Sequence, residues 1–156
     1  MIKVFEKIAK ENIDLPKKLL VSGINGNAAD ALRAELKSKG LEDAVVFTGF
    51  VDNDVRNTLY AHCRAFLFPS VFEGFGMTPV EAMFYGKTVI TTKCASIPEV
   101  TQNKAVYVND PYDLDEWIEK MKDIGQTFDD TAIDMTVYDD KKIAAEYLNI
   151  LRKVFG

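Results

Sequence analysis

Short, uninterrupted apolar runs separated by helix-patterned stretches recur along this chain, and no other feature restricts its fold as strongly. The runs are Lys18-Leu19-Leu20-Val21-Ser22-Gly23, Ala44-Val45-Val46-Phe47-Thr48-Gly49, Ala65-Phe66-Leu67-Phe68, Thr88-Val89-Ile90-Thr91-Thr92 and Ala105-Val106-Tyr107-Val108. A strand with one wet face alternates polar and apolar residues; a continuous run belongs to a strand covered on both faces. Between the runs lie helical patterns. Ala28, Leu32 and Leu36 recur before Gly40. Asp52 to His62 follows, capped by Asp52 or Asn53, with Val55, Leu59 and Tyr60 inward. Thr78 to Tyr85 precedes Gly86. Strands and helices in this alternation give a Rossmann-like, doubly wound α/β domain with a parallel sheet.

Two amphipathic helices follow. Leu114, Trp117, Ile118 and Met121 mark the first; Ile143, Tyr147, Ile150, Leu151 and Val154 mark the second, over 141–155. The acidic stretch from Gly125 to Asp140 reads as a solvated loop. No repeat or linker divides the chain, so residues 1–156 read as one domain. The chain opens unusually: Ile2, Phe5, Ile8 and Ala9 are spaced for a helix. A Rossmann-type half starts on a central strand, so either Met1–Phe5 forms that strand or the strand lies upstream.

Composition excludes several functions. The 156 residues are 47% apolar, 28% charged and 11% aromatic, enough for a core without disulfides. Nineteen Lys plus Arg against 24 Asp plus Glu, net −5, disfavour sequence-independent nucleic-acid binding. No apolar run reaches the roughly 18 residues of a membrane span, and the charged N-terminus is no signal peptide. Cys63 and Cys94 read as buried reduced thiols, pointing to a cytoplasmic protein. No metal-ligand spacing is present.

Ligands of open α/β sheets bind beyond the carboxyl ends of the strands. There the segment Pro69-Ser70-Val71-Phe72-Glu73-Gly74-Phe75-Gly76-Met77-Thr78-Pro79-Val80-Glu81-Ala82-Met83 leaves a strand, passes two glycines and enters a helix. Glycine backbone approaches a ligand closely, and a helix N-terminus favours an anion such as a phosphate or diphosphate. Glu73 and Glu81 suit sugar or ribose hydroxyls. Each feature has a plainer reading: Thr78 and Glu81 match a capping box, the glycines a tight turn, Phe72 and Phe75 core packing. His62, the one histidine, reads as a helix-end surface residue. Gly23-Ile24-Asn25-Gly26 reads as a turn before an Asn27 cap.

The segment from Phe68 to Met83 resembles the signature of the group 1 retaining glycosyltransferases, whose GT-B architecture has two Rossmann-like domains. Its two glutamates have the family's spacing. The resemblance continues through Val46–Val51, Gly86–Thr91 and Ala95–Val100 and covers roughly residues 17 to 125. It implies the C-terminal, donor-binding domain of an enzyme that transfers a hexose from a UDP- or GDP-linked sugar to a sugar or lipid-linked acceptor. It assigns Glu73 to the reacting donor sugar, and Gly74, Phe75, Gly76, Met77 and Thr78 to sugar and diphosphate. Glu81 falls to the ribose, and Gly23, Phe50 and Val51 to the flanks of the base. No cofactor or metal is implied, and no nucleic acid. The acceptor would bind an N-terminal domain missing here, and the full enzyme could associate peripherally with a membrane. A UDP-sugar epimerase, a sugar phosphorylase or a non-catalytic nucleotide-sugar-binding module fits the same architecture. Two departures stand out: the strand ending in Gly-Arg and the Lys-Asn pair that grip the diphosphate are not in this sequence. The fragment alone is therefore expected to be inactive.

Overall fold

A computed structural model describes residues 1–124 and 132–155. Part of the acidic stretch that begins at Gly125 lies outside the described residues. The elements run α1 (Ile2–Lys10), β1 (Leu19–Ser22), α2 (Gly26–Ser38), β2 (Val45–Gly49), α3 (Asn53–His62), β3 (Phe66–Phe68), α4 (Met77–Phe84), β4 (Val89–Thr92), α5 (Ile97–Val100), β5 (Val106–Val108), α6 (Leu114–Lys122), a 3₁₀ turn (Met135–Tyr138) and α7 (Asp140–Phe155). All observed strand pairing is parallel, as the continuous apolar runs require. The α/β architecture expected from the sequence is the one observed.

The sheet is divided. β1 pairs with β2, and β3-β4-β5 form a separate three-stranded ladder. Met1–Phe5 does not supply the missing member: Ile2–Lys10 is helical. Its apolar face, Val4, Phe5 and Ile8, is at most 3% exposed. That face closes a core holding Leu19 and Val45 from one sheet, Ile90 and Val108 from the other, and Trp117, Ile118 and Met121 of α6. Glu6 ties α1 down, accepting from Lys10 Nζ at 2.6 Å and Lys39 Nζ at 2.8 Å. Those bonds, Lys10's first, hold its carboxyl at about 2. A second core, on the opposite face, gathers Tyr60, Val80, Ala82, Met83, Val89 and Val100.

Several local readings change in the fold. Val55, expected inward, is 44% exposed, and Tyr60 is the α3 residue that enters the core. Asp52 caps α3, accepting from Val55 N at 2.8 Å. α2 starts at Gly26 with Asn25 at its N-cap, two residues ahead of the expected Asn27. Cys63 and Cys94 are free thiols, half-buried rather than buried, the first at the C-cap of α3 and the second in the loop after β4. α7 carries its expected apolar stripe but buries none of it. No described helix is long and apolar enough to cross a membrane.

Candidate functional site

Loops after the strands collect at the carboxyl ends, and the loop from Pro69 to Gly76 is the one most firmly held. Its carbonyls are taken by side chains. Thr92 Oγ1 and Cys94 Sγ both donate to Ser70 O, the thiol at 3.3 Å. Ser70 Oγ bridges Phe72 O at 3.0 Å and Glu73 Oε1 at 2.7 Å. Ser96 Oγ reaches Phe75 O at 2.6 Å and Gly74 O at 3.1 Å. In a trans peptide the C=O and the following N–H point in opposite directions, and no peptide here is cis. Fixing the carbonyls of residues 70, 74 and 75 from β4 and the β4–α5 loop therefore turns the N–H groups of Val71, Phe75 and Gly76 away from that side.

Gly76 makes the entry to α4. Its φ of +95° is left-handed, and a Cβ there would stand 2.5 Å from Cδ1 of Ile97. Gly76 occupies the N-cap, so Thr78 lies inside the helix and the capping-box reading fails. The amides of Met77 and Thr78 belong to the first turn, which has no intrahelical acceptors. Glu81 turns elsewhere. Its Oε2 accepts from the Tyr60 hydroxyl at 3.0 Å and lies 3.9 Å from Arg56 Nε, which is buried without a hydrogen-bond partner. Burial first, and the Glu81 carboxylate second, push the Tyr60 phenol well above its ordinary range. The sequence placed Tyr60 inward but gave no sign of its bond to Glu81 or of Arg56 beside it. Their i, i+4 spacing on α3 was visible, but only the packing of α3 against α4 gives it meaning.

The aromatic residues of the loop are not core: Phe72 is 85% and Phe75 50% exposed. Phe50 is likewise 77% exposed. Val51 beside it is half-buried, and Gly23 is exposed. Gly23 N donates to Gly49 O at 2.8 Å, which joins the ends of β1 and β2. Thus Gly23, Phe50 and Val51 end the two-stranded sheet, while Glu73 to Thr78 ends the three-stranded one. His62 is exposed at the end of α3, as expected. Among the described residues no group of three or more His, Cys, Asp or Glu could hold a metal ion.

The fold is a parallel α/β domain whose glycine loop runs from the carboxyl end of β3 into α4. The model of the group 1 glycosyl transferases matches residues 1–126, and the chain belongs to that family. It is 35% identical over 97 residues to O-antigen chain mannosyltransferase B of Escherichia coli, covering 62% of this chain and 25% of that protein. It is 38% identical over 86 residues to O-antigen chain mannosyltransferase RfbU of Salmonella typhimurium, covering 55% and 24%. The crystal structure of TarM superposes with a TM-score of 0.72 at 20% identity, over 95% of this chain and 31% of that one. The chain thus spans about a quarter of the curated relatives' length, and the shared fold is that of the C-terminal half of GT-B glycosyltransferases.

Proposed function

We propose that this chain is the donor-binding half of a retaining glycosyltransferase that moves a hexose from a nucleoside diphosphate sugar to a sugar or lipid-linked acceptor. The names of its relatives favour mannose as that hexose. One observation carries the reading: the loop after β3 has its carbonyls held by side chains, so that the amides following Ser70, Gly74 and Phe75 turn away from them. Amide donors aimed at a diphosphate stabilise the charge that develops on the leaving group without reorganising at the moment of reaction. In this reading Glu73, steadied by Ser70, stands beside the donor sugar. Gly74, Phe75, Gly76, Met77 and Thr78 line sugar and diphosphate. Glu81, aligned by Tyr60, takes the ribose hydroxyls, and Gly23, Phe50 and Val51 flank the base. An acceptor domain, the basic diphosphate grip and any peripheral membrane contact belong to polypeptide beyond these residues. The cytoplasm, where nucleotide sugars are made, is the proposed location.

The test uses an enzyme containing this domain, with GDP-mannose and UDP-glucose as donors. Glu73→Gln should lower turnover by more than tenfold with little change in nucleotide affinity, since it removes charge only at the reacting sugar, whereas Glu81→Gln should weaken nucleotide binding about tenfold. Unchanged nucleotide affinity in Glu81→Gln, measured by calorimetry, would limit Glu81 to its contacts with Tyr60 and Arg56. Inversion at the anomeric carbon in the product would reject the retaining assignment.

A further inference from the structure

Stability alone gives no reason for an arginine at position 56. Arg56 lies in the first turns of α3, just after the Phe50–Val51 loop, and its backbone N donates to Asp52 O at 2.9 Å. Its side chain is 43% exposed, yet Nε is buried and makes no hydrogen bond. Among the described residues it is the one buried side-chain nitrogen or oxygen left in that state. A buried donor without an acceptor costs folding free energy that an apolar side chain of similar length does not. What Arg56 does face is Glu81. Nε stands 3.9 Å from Glu81 Oε2, and no other carboxylate pairs with Arg56 among the described residues. At that distance the contact is attraction between charges, not a hydrogen bond. The same oxygen accepts from the Tyr60 hydroxyl at 3.0 Å, whereas Oε1 accepts from no described residue. Arg56 and Tyr60 are four residues apart on one face of α3, so both address a single carboxylate oxygen from that helix and leave the other open.

We propose that Arg56 is a positioning residue for nucleotide binding: with Tyr60 it fixes one oxygen of Glu81 from the α3 side, so that the other meets the ribose hydroxyls. This inference rests on the ribose reading of Glu81 given above. In that reading a carboxylate stands one sugar away from a diphosphate, and two anions so close repel each other. The guanidinium beside Glu81 offsets the repulsion without touching the ligand, so Arg56 acts only through Glu81. An unpaired buried Nε fits such a role, because groups placed for function are often kept at the expense of stability.

The test uses an enzyme containing this domain and calorimetry with GDP or UDP, whichever it accepts, beside the 2′,3′-dideoxy form of the same nucleotide. Arg56→Met keeps the length of the side chain and removes its charge. It should weaken the ribonucleotide about fivefold, leave the dideoxy form unchanged, and raise KM for the donor at constant kcat. Tm should hold or rise, since the orphaned donor is gone. Arg56→Lys keeps the charge and should bind within about twofold of the parent. In a Glu81→Gln background Arg56→Met should add nothing, because the two residues act as one unit. Equal losses for the two nucleotides, a lysine variant as weak as the methionine one, or an effect that persists in the Glu81→Gln background would overturn the proposal. So would a fall in Tm that accounts for the lost affinity. If Glu81→Gln separates the two nucleotides and Arg56→Met does not, this inference fails and the ribose reading stands. If Glu81→Gln itself fails to separate them, the ribose reading fails and takes the inference with it.

Discussion

β3-β4-β5 and β1-β2 are written in equally apolar residues, yet they reach different states. Every residue of β4 is buried, whereas Leu20 and Val46 in the paired strands β1 and β2 are 50% and 42% exposed. The loops differ in the same sense. The one after β3 is fastened to the β4–α5 loop by Thr92, Cys94 and Ser96, while the Phe50 side chain after β2 stands 77% in solvent. An apolar run specifies where a strand forms. Whether that strand is buried depends on what packs over its faces, and Leu20 and Val46 are left in solvent.

The largest effect that would sharpen this contrast comes from truncating one residue in each half. Ile90→Ala empties a site with no exposure and should cost about 2–5 kcal/mol, whereas Leu20→Ala should cost less than about 1 kcal/mol. Urea unfolding of the two variants measures both. Equal losses would mean that β1 is as fully covered as β4, and the contrast would collapse.

A smaller effect is expected at the entry to α4. Gly76→Ala combines a left-handed φ with a Cβ 2.5 Å from the Ile97 terminal methyl, and should cost about 2 kcal/mol. Ile97 has no exposure, so the methyl has little room to yield. Removing it with Ile97→Val should cut the Gly76→Ala penalty to the backbone part, about 1 kcal/mol. A double-mutant cycle reads this directly, and strict additivity would show that the steric contact is relieved by a shift elsewhere.

Much of this architecture was legible because periodicity is local. The spacing of Ile2, Phe5 and Ile8 announced α1, although Val4 rather than Ala9 completes its buried face. The glycine loop and the two glutamates were equally plain. Other features were hidden, for a common reason. The Thr78–Glu81 capping box is a sound local pattern, but Gly76 takes the N-cap because the loop arrives already fixed by Ser96. Phe72 and Phe75 look like core by hydrophobicity and are exposed, their carbonyls held by Ser70 of the same loop and by Ser96 of the next. The split sheet could be inferred from the missing strand, whereas the link from Tyr60 and Arg56 to Glu81 required the docking of two helices.

The smallest effect concerns Ala95, which holds a φ of +45° in the loop that fastens the site. An L-residue there carries about 1–2 kcal/mol of strain, and glycine would relieve it at a cost of about 0.5–1 kcal/mol in unfolded-chain entropy. Ala95→Gly should therefore stabilise the three-stranded half by about 0.5 kcal/mol, read as a rise in the urea midpoint at constant m-value. The strain has an evident use, since the turn at Ala95 brings Ser96 Oγ to the carbonyls of Gly74 and Phe75. Glycine keeps that turn accessible but no longer enforces it, so the amides of Phe75 and Gly76 should gain motion on the nanosecond scale, seen as lowered NMR order parameters. Proline cannot adopt a positive φ, so Ala95→Pro should release Ser96 and lose stability instead. If the glycine variant proved less stable than the parent, Ala95 would owe its conformation to contacts of its methyl group rather than to the pull of the loop.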